Sequence, residues 1–375
     1  MANRFWVGGT GIWNSVNILN WSATSGGLGG ATAPTSADNA FFDANSGTGT
    51  CTTESGATNN AVTFNTSNVT LTFGANHNCS AGFTLTLGSI NLNNQTLTCT
   101  GVSSSNANVR SINFGTSGKI ILTGNNATVL NFNNATNFSY SGTSYIESNY
   151  SGSTGTRVFA NGATGGSAST ALNLYITNGT DIVTVGNSFW ANNLDFTGFS
   201  GTLNNSSRFI ISNLTISNGM TLTGGVGATN FLGTGAQAIT SNGKTLDFPL
   251  TFDGIGGTFA FQDALTQGST RAFTVTNGTV QLKNGVTSTV GSFVTSGTNQ
   301  KFLQSTLANS QSTLSQASGT ASTSYLTIQD VNATGGAIFN SFTGAGNSAS
   351  AQNVNAGNNV KWNFIPAGSG MMGFF

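Results

Sequence analysis

Charge is the scarcest property of this 375-residue chain, because Asp, Glu, Lys and Arg make up only 5% of it, against about 25% in an average soluble domain. The ten basic and ten acidic residues cancel and form no run of one sign. Nucleic-acid binding needs clustered Lys and Arg, and a membrane-surface helix needs a basic face. No apolar run approaches the ~20 residues that span a bilayer. We therefore expect no nucleic-acid partner and no membrane insertion.

Cysteine and histidine are nearly as rare. The three cysteines, Cys51, Cys79 and Cys99, are odd in number, which argues against a disulfide framework. His77 is the only histidine, and although Cys79 lies two residues away, nothing near them supplies the remaining ligands of a zinc site. The Gly-rich stretches lack the Lys-Ser/Thr pair of a phosphate-binding loop. We expect no catalytic residue, no metal and no cofactor.

A secretion signal is also missing from the opening MANRFWVGGTGIW, which has neither a basic n-region nor an apolar h-region. The many Asn-x-Ser/Thr sequons would be glycosylated in a eukaryotic secretory route, which disfavours that route. The expected location is the cytoplasm in which the chain is made, until it is assembled or released.

A triplet of an aliphatic residue, a polar residue and Phe recurs along the chain. The first and third residues of such a triplet face the same side of a strand, so each triplet directs one aliphatic side chain and one Phe into a core. This periodicity predicts a folded chain despite the low charge. The triplets are VTF (62–64), LTF (71–73), INF (112–114), LNF (130–132), LDF (194–196 and 246–248) and LTF (250–252).

A longer repeat aligns residues 83–101 with residues 273–291 without gaps, and both copies read strand, glycine, strand. The stretch LTISNGMTLTG (214–224) reads locally as a hairpin around an Asn-Gly turn. An antiparallel sandwich needs charged residues to protect its edges, whereas a solenoid has open edges only at its two ends. We therefore predict an all-β chain that forms a right-handed parallel β-helix (solenoid) with capped ends. The alternative is a β-sandwich array.

In the solenoid, the Asn-Gly pairs are expected to be mostly corners with positive φ. The predicted organisation has four parts. Residues 1–50 hold Trp6, Trp13 and Trp21 and form an N-terminal cap, and residues 51–320 form the body. Residues 321–364 form a C-terminal cap that closes with Trp362 and Phe364, and residues 365–375 form an apolar tail.

The opening RFWVGGTGIWNSVNILNWSATSGGLGGATAPTSADNAFFD (4–43) resembles the N-terminal signature of a family of virion-associated proteins in tailed bacteriophages, particularly marine ones. Residues 193–204, residues 239–252 and the closing stretch from YLTIQDVNATGGA to NNVKWNF resemble the same family. The resemblance implies a β-helical virion component and brings no catalytic residues. Related tailspikes are usually homotrimers, which implies a homo-oligomer, and a trimer above all.

The resulting hypothesis is a non-enzymatic structural protein on the virion surface, made in the host cytoplasm. It would be either a receptor-binding tail fibre or spike, or a capsid decoration protein that braces the particle. The alternatives are a glycan depolymerase tailspike on the same scaffold and a secreted bacterial β-helix adhesin. Other virion proteins are the expected partners, with a host surface glycan as a further one.

A glycan-cleaving enzyme would need two carboxylates across a groove. Asp195 and Asp247 occupy the same place in their LDF triplets and would line one outward face if their turns share a register. Glu147 lies between Tyr145 and Tyr150, which is typical of a sugar-contacting patch. We therefore predict that Tyr145, Glu147 and Tyr150 contact a glycan.

The closing IPAGSGMMGFF places four large apolar side chains after a Gly/Ser tether. Met and Phe are adaptable anchors of the kind enriched in interface cores. We expect the tail to dock into a neighbouring copy or a partner virion protein through Met371, Met372, Phe374 and Phe375.

Overall fold

The computed structural model describes residues 1–125, 127–186, 188–204, 206–341 and 352–364. Within these residues the chain is nearly all β, and its strands stack in parallel to form a β-solenoid. The parallel β-helix prediction is thereby confirmed over the sandwich. One helical element lies in the described part, the three-residue 3-10 helix Ala168–Thr170. The predicted docking residues Met371, Met372, Phe374 and Phe375 lie outside the described residues.

The described chain divides into two compact units. The first unit comprises Met1–Asn192 with Phe196–Thr202, and the second comprises Asn193–Asp195 with the described residues from Leu203 onward. The strands up to the division are β1 (Asn3–Trp6), β2 (Gly11–Trp13), β3 (Trp21–Ser22), β4 (Asn39–Phe42), β5 (Gly49–Thr53), β6 (Thr58–Asn59), β7 (Val62–Phe73), β8 (His77–Cys79), β9 (Gly82–Asn91), β10 (Thr96–Cys99), β11 (Gly101–Ser103), β12 (Arg110–Asn113), β13 (Lys119–Leu122), β14 (Leu130–Asn134), β15 (Phe138–Ser141), β16 (Ile146–Ser148), β17 (Thr156–Thr164), β18 (Leu172–Ile176), β19 (Ile182–Val185), β20 (Phe189–Asp195) and β21 (Thr202–Asn204).

Two sheets build the first unit. One contains β3, β1, β4, β7, β9, β11, β14, β17 and β19 in that order, with β2, β5, β12 and β15 at its side. The other runs through β6, β8, β10, β13, β16 and β18. Among the described pairs of this unit whose register is defined, β1 and β3 are antiparallel and the rest are parallel.

The second unit has the same parallel construction. Its strands are β22 (Arg208–Ile210), β23 (Leu214–Thr215), β24 (Thr221–Leu222), β25 (Thr229–Phe231), β26 (Ala236–Thr240), β27 (Thr245–Leu246), β28 (Leu250–Phe261), β29 (Thr266–Gln267), β30 (Ala272–Leu282), β31 (Thr287–Val290), β32 (Ser292–Thr295), β33 (Lys301–Ser305), β34 (Ser312–Gln316), β35 (Thr320–Ser322), β36 (Leu326–Gln329), β37 (Val331–Thr334), β38 (Ile338–Asn340) and β39 (Val354–Asn355). The main sheet leads from β28 through β30 and β33 to β36 and β39, a second sheet contains β27, β29, β31, β34 and β37, and β35 pairs with β38.

The predicted triplets form the core. In all seven, the aliphatic residue and the Phe are at most 1% exposed, while the middle residue faces outward. The long strands β7 and β28 share one twelve-residue burial pattern although their sequences differ. Each shifts register after its third residue, so its two ends pair with different strands of the neighbouring turn. One bent strand thus serves two sides of a turn.

The stretch 214–224 forms no hairpin. Its first strand, β23, pairs in parallel with β26, and Leu214 lies opposite Ile239. Its second strand, β24, lies next to β21, and the Thr223 amide donates to the Leu203 carbonyl at 3.0 Å. The chain therefore keeps winding through this Asn-Gly pair.

The Asn-Gly pairs are corners only in part. Five of the six glycines adopt positive φ, and Gly219 is the exception. Two pairs lie inside strands rather than between them, residues 161–162 in β17 and residues 277–278 in β30. Gly278 is the repeat equivalent of Gly88, and both have left-handed φ, 78° and 97°. A Cβ on Gly88 would come within 1.9 Å of the Thr66 carbonyl oxygen, so this repeat position requires glycine.

Aromatic side chains fill the first turns of the chain. Trp6, Trp13 and Trp21 are fully buried and surround Phe42, each with its ring centroid 5.9 Å from that of Phe42. Near the other end, Trp362 packs edge-on against Phe339 with the centroids 5.0 Å apart. Buried aromatic rings thus pack against one another in the first turns and again near the last described residues.

Buried cations organise the corners in a way that the sequence analysis missed. Four fully buried cations each lie at or next to the first residue of a strand, directly after a loop rich in Gly, Ser or Asn. They are Arg110, Arg157, Arg208 and Lys301.

Arg110 shows the arrangement most clearly. Its guanidinium donates to the backbone carbonyl oxygens of Asn108 at 2.9 Å, Thr136 at 2.7 Å and Asn134 at 3.2 Å, and also to that of Ser104. Lys301 donates in the same way to carbonyls of its own loop and of the next turn, at Asn299 and Ser324. Each cation replaces the water that would otherwise satisfy these carbonyls and ties its loop to the neighbouring turn.

Arg157 combines this role with an ion pair. It donates to the Asn178 carbonyl at 2.8 Å and binds both carboxylate oxygens of Asp181, which is also fully buried. Arg208 donates to the Ser206 carbonyl at 3.2 Å and also lies 4.9 Å from the ring centroid of Phe248, and desolvation lowers its pKa to about 10. The guanidinium therefore stays charged at neutral pH.

Replacing Phe196 or Phe248 with Ala should lower the free energy of unfolding by roughly 3–5 kcal/mol, because each ring is at most 1% exposed and its removal leaves a cavity. Denaturant unfolding of the purified variants measures this. Phe302→Ala is the control, because the Phe302 ring is 39% exposed and its removal should lower the free energy of unfolding by less than about 1 kcal/mol. Equal costs at the buried and exposed sites would contradict the core assignment.

Arg110→Met should destabilise the first unit by about 3 kcal/mol or more, because several buried carbonyls lose their donor at 1–3 kcal/mol each. Arg4→Met is the matched control, since Arg4 bonds to Thr32 at the surface. Thermal and denaturant melts of both variants give the comparison. A loss no greater than that of the control would show that the buried guanidinium does not hold the corner.

Candidate functional site

The predicted glycan contacts lie partly together on an outward face of the first unit. Glu147 points outward from β16 and is paired in register with Tyr175 of β18. Tyr145 precedes β16 and stacks on Tyr175 with the ring centroids 4.4 Å apart and the planes at 18°. The Lys119 ammonium lies 4.6 Å from the centroid of the Tyr145 ring. These four residues form one column, which we call the tyrosine column.

Tyr150 lies apart from the tyrosine column. Its hydroxyl accepts a hydrogen bond from Asn125 at 3.0 Å and donates to the Thr154 carbonyl at 3.3 Å. Its ring centroid is 5.4 Å from the guanidinium carbon of Arg157. Tyr150 thus packs on the Arg157 corner, while Tyr145 and Glu147 belong to the column.

The tyrosine column offers polar groups rather than an open ring face. Lys119 covers one face of Tyr145 and Tyr175 covers the other, because β13 and β18 flank β16 on opposite sides. A ligand that approaches from the solvent therefore meets ring edges, a lysine ammonium and the Glu147 carboxylate. Oε1 of this carboxylate accepts a hydrogen bond from the Thr177 hydroxyl at 3.0 Å. This is chemistry for binding hydroxyl groups. The sequence missed Lys119 and Tyr175 because each is one turn away along the chain.

Asp195 and Asp247 do not line one face. Asp195 pairs with Thr215 in the main sheet of the second unit, whereas Asp247 directly follows β27, a strand of a different sheet. Asp247 forms an ion pair with Arg271, with Nε and Oδ1 2.8 Å apart. The hydrogen bond and charge of Arg271 lower the pKa of Asp247. A general acid for glycoside cleavage needs a raised pKa instead.

The other carboxylates serve as hydrogen-bond acceptors within the fold. Hydrogen bonds from other groups of the chain reach these carboxylates at loops, at corners or across turns. The accepting residues are Asp38, Asp43, Glu54, Glu147, Asp181, Asp247, Asp253, Asp263 and Asp330.

His77 lies inside the first unit. It is 2% exposed, its Nε2 is 2.7 Å from the side-chain oxygen Oδ1 of Asn59, and Trp13 packs edge-on against its ring with the centroids 4.8 Å apart. Desolvation lowers the pKa of His77 to about 4, so the ring is neutral at pH 7. Nε2 therefore carries the proton that Asn59 accepts.

The three cysteines share this interior. All three are free and buried. Burial raises the pKa of Cys79 to about 12 and also holds the pKa values of Cys51 and Cys99 well above their usual range, so none is a thiolate at neutral pH. In the described part of the chain, no three His, Cys, Asp or Glu side chains are grouped to hold a metal ion.

Comparisons of the chain with protein-family models, with curated proteins and with solved structures gave no match. Within the described ranges, no helix has the length and hydropathy that crossing a bilayer requires.

Stability should fall by about 3 kcal/mol as the pH drops from about 6.5 to about 4, because the unfolded state binds a proton on His77 that the folded state refuses. The stabilisation is complete above pH 6.5 and is lost through this window. Denaturant unfolding at a series of pH values measures it.

His77→Gln is the control for this titration, since it replaces the ionisable ring with a neutral amide that can still donate to Asn59. The fall in stability between pH 6.5 and pH 4.5 should be much smaller in the variant. Identical pH profiles for the variant and the parent protein would assign the acid sensitivity to other groups.

Proposed function

We propose that this chain is a non-enzymatic structural protein on the surface of a tailed-bacteriophage virion. It acts as a receptor-binding fibre or spike, or as a decoration protein on the capsid, and it assembles with other virion proteins and with copies of itself, as a trimer above all. The resemblance of residues 4–43 and of the closing stretch to virion-associated proteins supports the setting. A parallel solenoid, which exposes strand edges only at its ends, suits a protein that must persist outside a cell.

The proposal that the protein is not an enzyme rests on the contacts that its few charged groups make. The carboxylates accept hydrogen bonds from loops or pair with arginines, and the buried cations hold corners. The rest of the surface is rich in hydroxyl and amide groups, and the tyrosine column is its most chemically distinctive feature. Such a surface supports recognition of a host surface glycan without cleavage.

Purified virions provide the test of the setting. Peptide mass spectrometry should detect the chain in particles at a fixed stoichiometry, and cryo-EM should place it on the tail or on the capsid. The chain's absence from particles, together with its presence in the lysate, would overturn the proposal.

The non-enzymatic part is tested by incubating the purified protein with host surface polysaccharide and measuring new reducing ends. We expect none above background. Cleavage that disappears in Asp195→Asn, Asp247→Asn or Glu147→Gln would establish the depolymerase alternative instead.

A further inference from the structure

A polar groove of about 240 Å³ lies on the outer face of the second unit. Its floor contains three glutamines from successive turns, because Gln281 of β30 is in register with Gln304 of β33, which is in register with Gln329 of β36. Its wall is the segment after β33, including Thr306 and Ala308. We call Gln281, Gln304 and Gln329 the glutamine row.

The Thr306 hydroxyl in the groove wall is paired with Asn284, whereas the amides of the glutamine row form no hydrogen bond with any described residue. Outward asparagine rows behave differently, since Asn299 donates to Asn277 at 2.8 Å and Asn277 donates to Asp253. Asn60 likewise donates to Asn39 at 2.9 Å. In the asparagine rows the amides hydrogen-bond to groups of the neighbouring turn, whereas in the glutamine row the amide donors and acceptors remain free to bind a ligand.

An exposed aromatic ring lies beside the row. Phe302 is two residues before Gln304 on the same face of β33, and it is 39% exposed. Its neighbours in register are Thr279 and Thr327, and no stacked ring covers it among the described residues. Leu307, which is 55% exposed, adds apolar surface next to Thr306.

These groups define the chemical class of the ligand. Amides both donate and accept hydrogen bonds, which matches hydroxyl groups, and an aromatic ring packs against the C–H face of a sugar. The groove lining includes no Lys or Arg, and its one carboxylate, Asp330, accepts from the Asn309 amide at 3.0 Å and from Asn358. An anionic ligand would find no cation there.

The backbone narrows the choice further. β33 is paired on both sides, with β30 and with β36, so it offers no free edge to an added peptide strand. Adjacent strands lie ~4.8 Å apart, which places the outer two glutamines roughly 10 Å from each other. A linked pair of pyranose rings has a comparable length. A sugar chain that lies across the turns would meet one amide per step.

We propose that the glutamine row and Phe302 form a binding site for a neutral glycan chain laid along the solenoid axis. This inference deepens the proposed function and rests on it for the source of the glycan, a polysaccharide of the host surface. Gln304 is the central contact, and Phe302 is the stacking platform. The tyrosine column, which carries charged groups, is a separate surface on the first unit.

The test measures binding of the full-length protein by affinity electrophoresis and by calorimetry. The probes are the neutral polysaccharide fraction from the host surface, dextran and mannan as defined neutral polymers, and heparin as the acidic one. At least one neutral probe should bind, and heparin should not. Gln304→Ala and Phe302→Ala should each weaken that binding roughly tenfold, since each removes a contact worth about 1.4 kcal/mol.

Gln95→Ala is the matched control, because Gln95 is a partly exposed glutamine of the first unit and should change binding less than about twofold. Melting curves of all three variants show whether they remain folded. Unchanged binding in both groove variants would overturn the site, and heparin-only binding or no binding to any probe would overturn the ligand class. Virion incorporation is measured separately, so a failed site leaves the proposed function standing or falling on its own test.

Discussion

The register between successive parallel strands is the constraint on which the rest of this structure depends. A shift of one residue would turn every inward side chain of a strand outward, because side chains alternate along it. Aromatic contacts fix the register in the second unit, where the Phe231 and Phe252 rings stack at 5.1 Å, Phe252 meets Phe273 at 4.9 Å, and Phe273 lies 6.0 Å from Phe293. The same register aligns the outward residues. The rows on the surface are thus determined by the core.

Six of the twenty charged side chains are buried, and the buried cations hold loops against the strands. Arg110 and Lys301 bind carbonyls where a loop leaves the ladder, and Arg157 does so together with Asp181. Each loop between strands has backbone groups that the sheets do not satisfy, and burial without a partner would cost 1–3 kcal/mol for each of them. One guanidinium serves several carbonyls at once, so a few cations suffice.

The side chains that face the core could be predicted from the sequence, whereas the rows that side chains form on the outer surface could not. The triplets and the 83–101 repeat specify which residues are buried by local alternation alone, and all fourteen inward positions of the triplets are in the core. Outward rows depend on loop lengths between turns, which carry no periodic signal. Lys119 and Tyr175 could therefore not be joined to Tyr145, nor Gln281 to Gln304 and Gln329. A lone Arg110 between Val and Ser resembles a surface residue until its loop is seen to fold over it.

A solenoid whose strands are paired on both sides can recognise a ligand only through its side-chain rows. In an asparagine row the amides of successive turns hydrogen-bond to one another along the axis, as Asn299 does to Asn277. Those amides are therefore not free to bind a ligand. Glutamine has one more rotatable bond, and ordering its side chain costs about 1.5–2 kcal/mol. A row of unpaired glutamines therefore gains little from self-association and can gain from a ligand that orders several amides together. Affinity in such a row grows with the number of turns that a polymer spans, which favours a repeating chain over a single small molecule.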